Sequence, residues 1–247
     1  MNPLYPADLR HILCLGAHSD DIEIGCGGLM LSLLEANPGV QVTWVVFSAA
    51  GERRAEALES ARKFLSGGAH DVRVLSFTDT RFPEERSGLK AQFQRLSAAC
   101  EPDLILTHRG DDEHQDHRVI QELTWQTFRN HWALEYEIPK YEGDLGRPNV
   151  YVPLSAEAAT RKVELLCSSF QTQQQKPWYG ENTFRAVLAL RGLECRSASG
   201  FAEGFYTPKT VFSPRPRPDR SGERGRRVQV KRQVRMPERS ADRKGGL

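Results

Sequence analysis

Short apolar runs alternate with longer amphipathic segments along the chain as far as residue 132. The apolar runs are rich in branched and aromatic side chains, which predicts buried strands over 11–18, 41–50, 72–77 and 103–108. The segments between and after them predict helices over 22–37, 53–65, 89–100 and 117–132. Alternation at this spacing indicates an α/β fold, in which a mostly parallel, doubly wound sheet carries helices on both faces.

The pattern weakens beyond residue 133. Here we expect a strand at 134–138, a loop at 139–149, a helix over 155–169 and a closing strand within 201–212. From residue 213 onward Pro, Arg, Gly and Ser dominate, and the apolar periodicity vanishes. The sequence therefore predicts a folded domain over 1–212 and a disordered, basic Pro/Arg-rich tail over 213–247.

Composition refines this division. The chain has 247 residues, 39% of them hydrophobic, which suffices for one sizeable core. The formal net charge of +2 combines a tail of charge +8 with a remainder of charge −6. The tail lacks interleaved aromatic residues, so we expect a solvated charged segment and not a nucleic-acid-binding one.

Several further features bear on the cellular setting. No run approaches the roughly 18 apolar residues needed to span a membrane, and residues 1–10 do not resemble a secretory signal. The five cysteines form no C-x-x-C pair, so neither a thiolate zinc site nor a disulfide framework is expected. These features predict a cytoplasmic protein without a membrane span, and they leave a homo-oligomer open.

Glycines at positions 25, 27 and 28 lie inside the first predicted helix, past the turn that precedes it. A dinucleotide-binding fingerprint would have its glycines within that turn. We therefore interpret these glycines as positions where the helix packs closely on the sheet.

Two clusters of histidines and carboxylates follow predicted strands. Segment 16–21 (GAHSDD) follows the first strand, and segment 111–117 (DDEHQDH) follows the fourth. Ligands of open α/β sheets lie beyond the carboxyl ends of the strands, where the strand order reverses. In many such sheets the first and fourth strands are neighbours at that point. We therefore expect the two clusters to face each other across one crevice.

Imidazole and carboxylate groups are the ligands that borderline divalent metals prefer, and three protein ligands with one open position are typical of catalytic zinc. Because Asp20 and Asp21 are adjacent in a turn, we expect one to bind the ion and the other to act as a general base. His114 and His117 lie three residues apart, so His117 can bind the ion while His114 stabilises an oxyanion or protonates a leaving group. Asp116 can orient a histidine. The pattern thus predicts a metal hydrolase.

Both clusters resemble motifs of the PIG-L/LmbE family of zinc-dependent N-acetylglucosaminyl deacetylases. The family motif A-H-P-D-D is similar to segment 17–21 (AHSDD), in which Ser19 replaces proline, and the motif H-x-D-H matches segment 114–117 (HQDH) in full. Weaker similarities lie at segments 51–57 (GERRAEA), 169–171 (SFQ) and 202–205 (AEGF). The resemblance covers residues 10–212 and excludes the tail.

The resemblance implies a Rossmann-like, three-layer αβα fold. It also implies Zn²⁺, or another divalent metal, held by His18, Asp21 and His117. Replacement of proline by Ser19 removes rigidity from the turn but no ligand.

For catalysis, the resemblance implies Asp20 as general base and His114 as acid or oxyanion stabiliser, tuned by Asp116. The implied reaction hydrolyses the N-acetyl group of an amino sugar, in a glycoconjugate, glycan precursor or sugar nucleotide, and releases acetate and a free amine. From their position alone, Arg53 and Arg54 are candidates to bind substrate, and a solvated helix start explains them equally well.

Two other functions remain open from the sequence. A metal-dependent phosphoesterase would use similar ligands, but it usually requires two metals and more bridging carboxylates. A non-catalytic binding module would hold its metal with a closed set of four ligands and would not need Asp20 or His114. Release of acetate or of phosphate from simple substrates distinguishes the two enzymes.

Overall fold

The computed structural model describes residues 9–66, 70–129 and 131–211, so the tail predicted over 213–247 lies outside the described residues. Within these ranges the strands are His11–Gly16 (β1), Gln41–Val46 (β2), Asp71–Val74 (β3), Leu104–His108 (β4), Trp132–Tyr136 (β5), Val150–Pro153 (β6) and Ala202–Tyr206 (β7). The α-helices are Asp21–Ala36 (α1), Gly51–Phe64 (α2), Arg86–Ala99 (α3), Gln115–Thr127 (α4), Ala156–Ser169 (α5) and Glu181–Cys195 (α6). These elements belong to one compact unit that ends at Lys209.

The strands form one sheet in the order β3-β2-β1-β4-β5-β7-β6. The first five strands of this order pair in parallel, whereas β7 pairs antiparallel with both β5 and β6. The chain builds outward from β1 to β3 and then returns to place β4 on the other side of β1. The strand order therefore reverses between β1 and β4, which confirms the expected neighbours and locates the crevice at their carboxyl ends.

Apolar side chains fill both faces of the sheet. Alternate residues of β1 point to opposite sides, so Ile12 and Cys14 join a core with α1, α2, α5 and α6. Leu13 and Leu15 join a second core with α3 and α4. The predicted three-layer αβα arrangement is thus confirmed. Among the described residues, every helix is too short or too polar to cross a lipid bilayer.

The predicted elements up to residue 132 are confirmed, with bounds that shift by a few residues. The apolar pattern does not anticipate β6 and α6. The strand β6 is a partly exposed edge strand of four residues. On α6, Leu190 and Leu193 are exposed while Leu188 is buried, so apolar residues surround the helix instead of marking one face.

Helix α1 is interrupted at Cys26, where the backbone leaves the helical region (φ −143°, ψ 18°). The interruption frees main-chain N–H groups that would otherwise bond within the helix. Those of Gly28 and Leu29 donate to the two carboxylate oxygens of Glu203 on β7, each over 2.7 Å. A side chain of the sheet thereby caps the second half of α1.

The buried ammonium group of Lys162 on α5 bonds to both sides of this interruption, directly to Ile24 and through Glu203 to Gly28. Its Nζ donates to the main-chain oxygen of Ile24 over 2.6 Å and to Oε1 of Glu203 over 2.7 Å. Close approach also requires small residues here, because a Cβ on Gly25 would lie 2.1 Å from the ring of Tyr136. The interpretation of the glycines as packing positions agrees with this geometry.

We expect the substitution Lys162→Met to lower the free energy of unfolding by about 3–5 kcal/mol, because it leaves Glu203 buried without its cation. Urea denaturation followed by circular dichroism measures the change. The matched control is Arg185→Met, which removes an exposed ion pair with Glu181 on α6 (2.7 Å) and should cost about 1 kcal/mol or less. Equal losses for the two variants would contradict this account of the interruption.

Candidate metal centre

The two polar clusters lie at the carboxyl ends of β1 and β4. After Gly16 the chain turns through residues 17–20 into α1, and after His108 it turns through residues 109–114 into α4. The parallel pairing of β1 with β4 brings both turns to the same edge of the sheet.

Three side chains from these turns and helices converge on one point. The Nδ1 atom of His18 lies 3.2 Å from Nε2 of His117 and 3.3 Å from Oδ2 of Asp21, and the last two atoms are 3.5 Å apart. When an ion is bound tetrahedrally with bonds of about 2.0–2.2 Å, its ligand atoms lie about 3.3–3.6 Å from one another. Burial, helped by neighbouring His108, lowers the pKa of His117 to about 4, so the ring is in the neutral form that metals bind.

The outer nitrogen of each of these imidazoles contacts carboxylates. Nδ1 of His117 lies 3.0 Å from Oδ2 of Asp112, and Nε2 of His18 lies 3.2 Å from Oδ2 of Asp116 and 3.0 Å from Oδ1 of Asp79. Carboxylates in this position fix the ring orientation and tautomer of metal-binding histidines. The Asp116 carboxylate hydrogen-bonds His18 and not His114, but its negative charge raises the pKa of His114 against the larger lowering by burial and by His18.

Asp116 also anchors the loop that follows β3. Its carboxylate accepts hydrogen bonds from the main-chain N–H of Thr80 over 2.7 Å and of Phe82 over 3.1 Å. Thr80 has a φ of +68°, a strained conformation for a β-branched residue. The Asp116 carboxylate thus holds this strained loop beside His18.

The two arginines at the start of α2 have different partners. Arg53 donates from Nε to Oγ of Ser19 over 3.3 Å and from a terminal nitrogen to Asp79 over 3.1 Å, which places it at the edge of the cluster. Arg54 instead donates to the main-chain oxygen of Val74 at the end of β3. Of the two candidates for substrate binding, the structure brings Arg53 to the cluster.

Asp20 lies beside the three converging side chains and is almost fully buried. Burial and the negative charge of adjacent Asp21 raise its pKa to about 6, although Arg53 opposes this shift. A carboxylate with a pKa in this range can accept a proton near neutral pH.

His114 is the N-cap of α4, and its ring packs against both His18 and His117, with centroids 4.8 and 4.6 Å away. Its Nδ1 accepts the main-chain N–H of Asp116 over 3.3 Å. Burial and the neighbouring His18 lower the pKa of His114. The neutral ring assigned from this hydrogen bond carries its proton on Nε2, which leaves an N–H donor.

His108, the last residue of β4, is fully buried at the base of the cluster. Its Nε2 accepts the N–H of Ala17 over 2.9 Å and lies 3.2 Å from Oδ2 of Asp21. Its ring stacks on His117 with the centroids 3.9 Å apart. Sequence reasoning missed both residues: His108 could have been found from its position at the end of β4, whereas Asp79 follows β3, two strands from β1, and gives no such signal.

Comparison with known families agrees with this geometry. Residues 13–128 match the PIG-L family model, which is described as GlcNAc-PI de-N-acetylase. The matched segment is a PIG-L family domain. It begins in β1 and ends just after α4, so it contains both clusters and the loop that carries Asp79.

Proteins similar to this chain include deacetylases. The uncharacterized deacetylase YaiS from Escherichia coli (strain K12) is 29% identical over 142 residues, which cover 53% of this chain and 75% of that protein. The solved structure of the N,N'-diacetylchitobiose deacetylase from Pyrococcus horikoshii matches with a TM-score of 0.56 at 21% identity. The match covers 80% of this chain and 83% of the deacetylase chain. The family match and the deacetylase relatives identify an amide hydrolase of the deacetylase class.

The same fold also serves other chemistry. GalB, the 4-carboxy-2-hydroxymuconate hydratase from Pseudomonas putida KT2440, has a TM-score of 0.62 at 17% identity and covers 85% of this chain and 100% of its own. Fold similarity alone therefore does not distinguish a hydrolase from a hydratase, and the residues of the site carry that distinction.

We expect Asp116→Ala to lower the free energy of unfolding by about 1–3 kcal/mol, because the amides of Thr80 and Phe82 lose their acceptor. Hydrogen exchange at these two amides should accelerate. The control Asp71→Ala removes an exposed ion pair with Arg73 and should cost about 1 kcal/mol or less. Unchanged exchange at Thr80 and Phe82 in Asp116→Ala would show that another group holds the loop.

Proposed function

We propose that this chain is a zinc-dependent deacetylase that hydrolyses the N-acetyl group of an amino sugar and releases acetate and a free amine. The observation that supports this most directly is the convergence of His18 Nδ1, His117 Nε2 and Asp21 Oδ2 at separations of 3.2–3.5 Å. The PIG-L match of residues 13–128 supports the same reaction class.

The donor set fits zinc. Two imidazoles and one carboxylate are a known three-ligand set for catalytic zinc, and the three donor atoms lie close to the separations of tetrahedral edges. When bound, such an ion polarises the amide carbonyl and makes water more acidic. His18, Asp21 and His117 would hold it, while Asp112 and Asp116 keep the two rings in place.

Asp20 is suited to act as the general base. It is adjacent to the ligand Asp21 but, by our proposal, does not itself bind the ion. With a pKa of about 6, the Asp20 carboxyl group is largely ionised at neutral pH. It is also a stronger base than an ordinary carboxylate, so it is suited to accept a proton from the attacking water.

His114 is suited to stabilise the charge that develops on the carbonyl oxygen. Because its Nδ1 is an acceptor for the amide of Asp116, the free hydrogen of the neutral ring is on Nε2. An uncharged N–H donor in a partly buried site lowers the barrier most when the oxygen becomes negative. Of the two roles left open for His114, oxyanion stabilisation agrees better with this tautomer.

Arg53 and Asp79 are suited to contact the sugar. They form an ion pair at the edge of the cluster, and the Asp79 side chain is 44% exposed, so it can accept a hydrogen bond from a hydroxyl. The chitobiose deacetylase from Pyrococcus horikoshii acts, by its name, on an N-acetylated sugar, which supports the same substrate class here.

We expect Asp20→Asn to retain zinc but to reduce acetate release by about 10²–10⁴-fold, because the base is lost and the three ligands remain. His117→Ala should lose both zinc and activity. Metal analysis and an acetate assay on the same samples measure these outcomes. The control Asp111→Asn changes an exposed carboxylate in the turn that precedes α4, and this variant should retain both zinc and activity. Normal turnover in Asp20→Asn would refute its role as the base.

Metal removal tests the reaction class. We expect a chelator to abolish acetate release from N-acetylglucosamine, from glycans that contain it or from a sugar nucleotide, and added Zn²⁺ to restore it. Phosphate release from a simple phosphate ester should stay at background throughout. Phosphate release instead of acetate release would favour a phosphoesterase, and acetate release without metal would exclude the proposed site.

A further inference from the structure

We infer that Lys140 is a positioning residue of the metal centre, which acts through Asp112 on the orientation of His117. The inference rests on the proposed function, because it concerns the ligand His117. Lys140 lies in the loop after β5, outside the segment that matches the PIG-L model.

A single carboxylate oxygen connects the lysine to the ligand. Oδ2 of Asp112 lies 3.0 Å from Nζ of Lys140 and 3.0 Å from Nδ1 of His117. The position of this oxygen determines where the N–H of His117 points, and hence where Nε2 on the other side of the ring faces. Lys140 therefore holds Oδ2 of Asp112 in place, and this oxygen in turn orients the His117 ring.

Lys140 is itself held in one place. Its Nζ contacts Asp112, both carboxylate oxygens of Asp144 (2.6 and 2.8 Å) and the main-chain oxygen of Ile138 (3.4 Å). Three acceptor groups match the three N–H donors of an ammonium group. The side chain is only 9% exposed, unlike a solvated surface lysine. Its contacts are thus directed at the cluster and away from solvent.

The same carboxylates clamp the turn that starts α4. Oδ1 of Asp112 accepts the N–H of His114 over 2.8 Å, and Oδ2 of Asp144 accepts the N–H of Glu113 over 2.8 Å. Lys140 joins these two carboxylates, which would repel each other without a cation between them. The loop after β5 thereby holds the segment that supplies His114 and His117.

The test measures Zn²⁺ affinity of the full-length protein by competition with a chromophoric chelator. We expect Lys140→Met to weaken Zn²⁺ binding by about 10–100-fold, which is typical for the loss of a partner that supports a ligand. Lys140→Arg, which keeps the cation, should restore most of the affinity. With Co²⁺ in place of Zn²⁺, the visible absorption spectrum should change in Lys140→Met but not in Lys140→Arg.

A double substitution tests whether the effect passes through Asp112. If it does, Lys140→Met in an Asp112→Asn background should add little to the loss caused by Asp112→Asn alone. Lys90→Met, at an exposed lysine of α3, is the control and should bind Zn²⁺ like the wild type. If Lys140→Met does not fold, Lys140→Gln replaces it, with the same direction of change expected.

The outcomes separate the two proposals. Wild-type affinity and an unchanged Co²⁺ spectrum in Lys140→Met, or fully additive losses in the double variant, would overturn the positioning role and leave the deacetylase proposal standing. A wild-type protein that binds no Zn²⁺ would overturn both. Loss of affinity with rescue by Lys140→Arg is the result that supports the inference.

Discussion

The parallel pairing of β1 with β4 is the constraint on which the site depends. Cys14 is in register with Leu106, so the two strands end at the same edge of the sheet, and each is followed by a tight turn into a helix. Because β1 and β4 are nearly 90 residues apart in the chain, no local interaction could bring His18 to His117. The central pair of the sheet does so, and it is buried between two apolar cores that hold its register.

Around this pair, both ring nitrogens of His18 and of His117 have polar partners. His18 and His117 have carboxylates on their outer nitrogens, and the carboxylate of Asp116 in turn accepts two main-chain amides. Such networks are costly when one member is missing, since the remaining groups stay buried without partners. Ser19, which stands where the first motif has proline, is also bonded, because its hydroxyl accepts a hydrogen bond from Arg53.

Much of this could be predicted from the sequence, for physical reasons that apply residue by residue. His18, Asp21 and His117 follow strands whose apolar patterns are clear, so the rule for parallel sheets places them together. Asp79 and Lys140 could not be found in this way, because they belong to loops whose paths depend on tertiary contacts. The antiparallel direction of β7 was equally hidden, since the sequence of this five-residue strand (AEGFY) is compatible with pairing in either direction.

The interruption of α1 at Cys26 has a consequence for how the enzyme is built. Lys162 donates to Ile24 in the short segment before the break, and Glu203 caps the segment after it; both residues lie far beyond His117 in the chain. A fragment that stopped at residue 128 would retain each side chain that we assign to zinc, yet it would leave both sides of the break in α1 without these partners. The contacts that hold the helix of the candidate metal centre therefore extend beyond the stretch that carries its motifs.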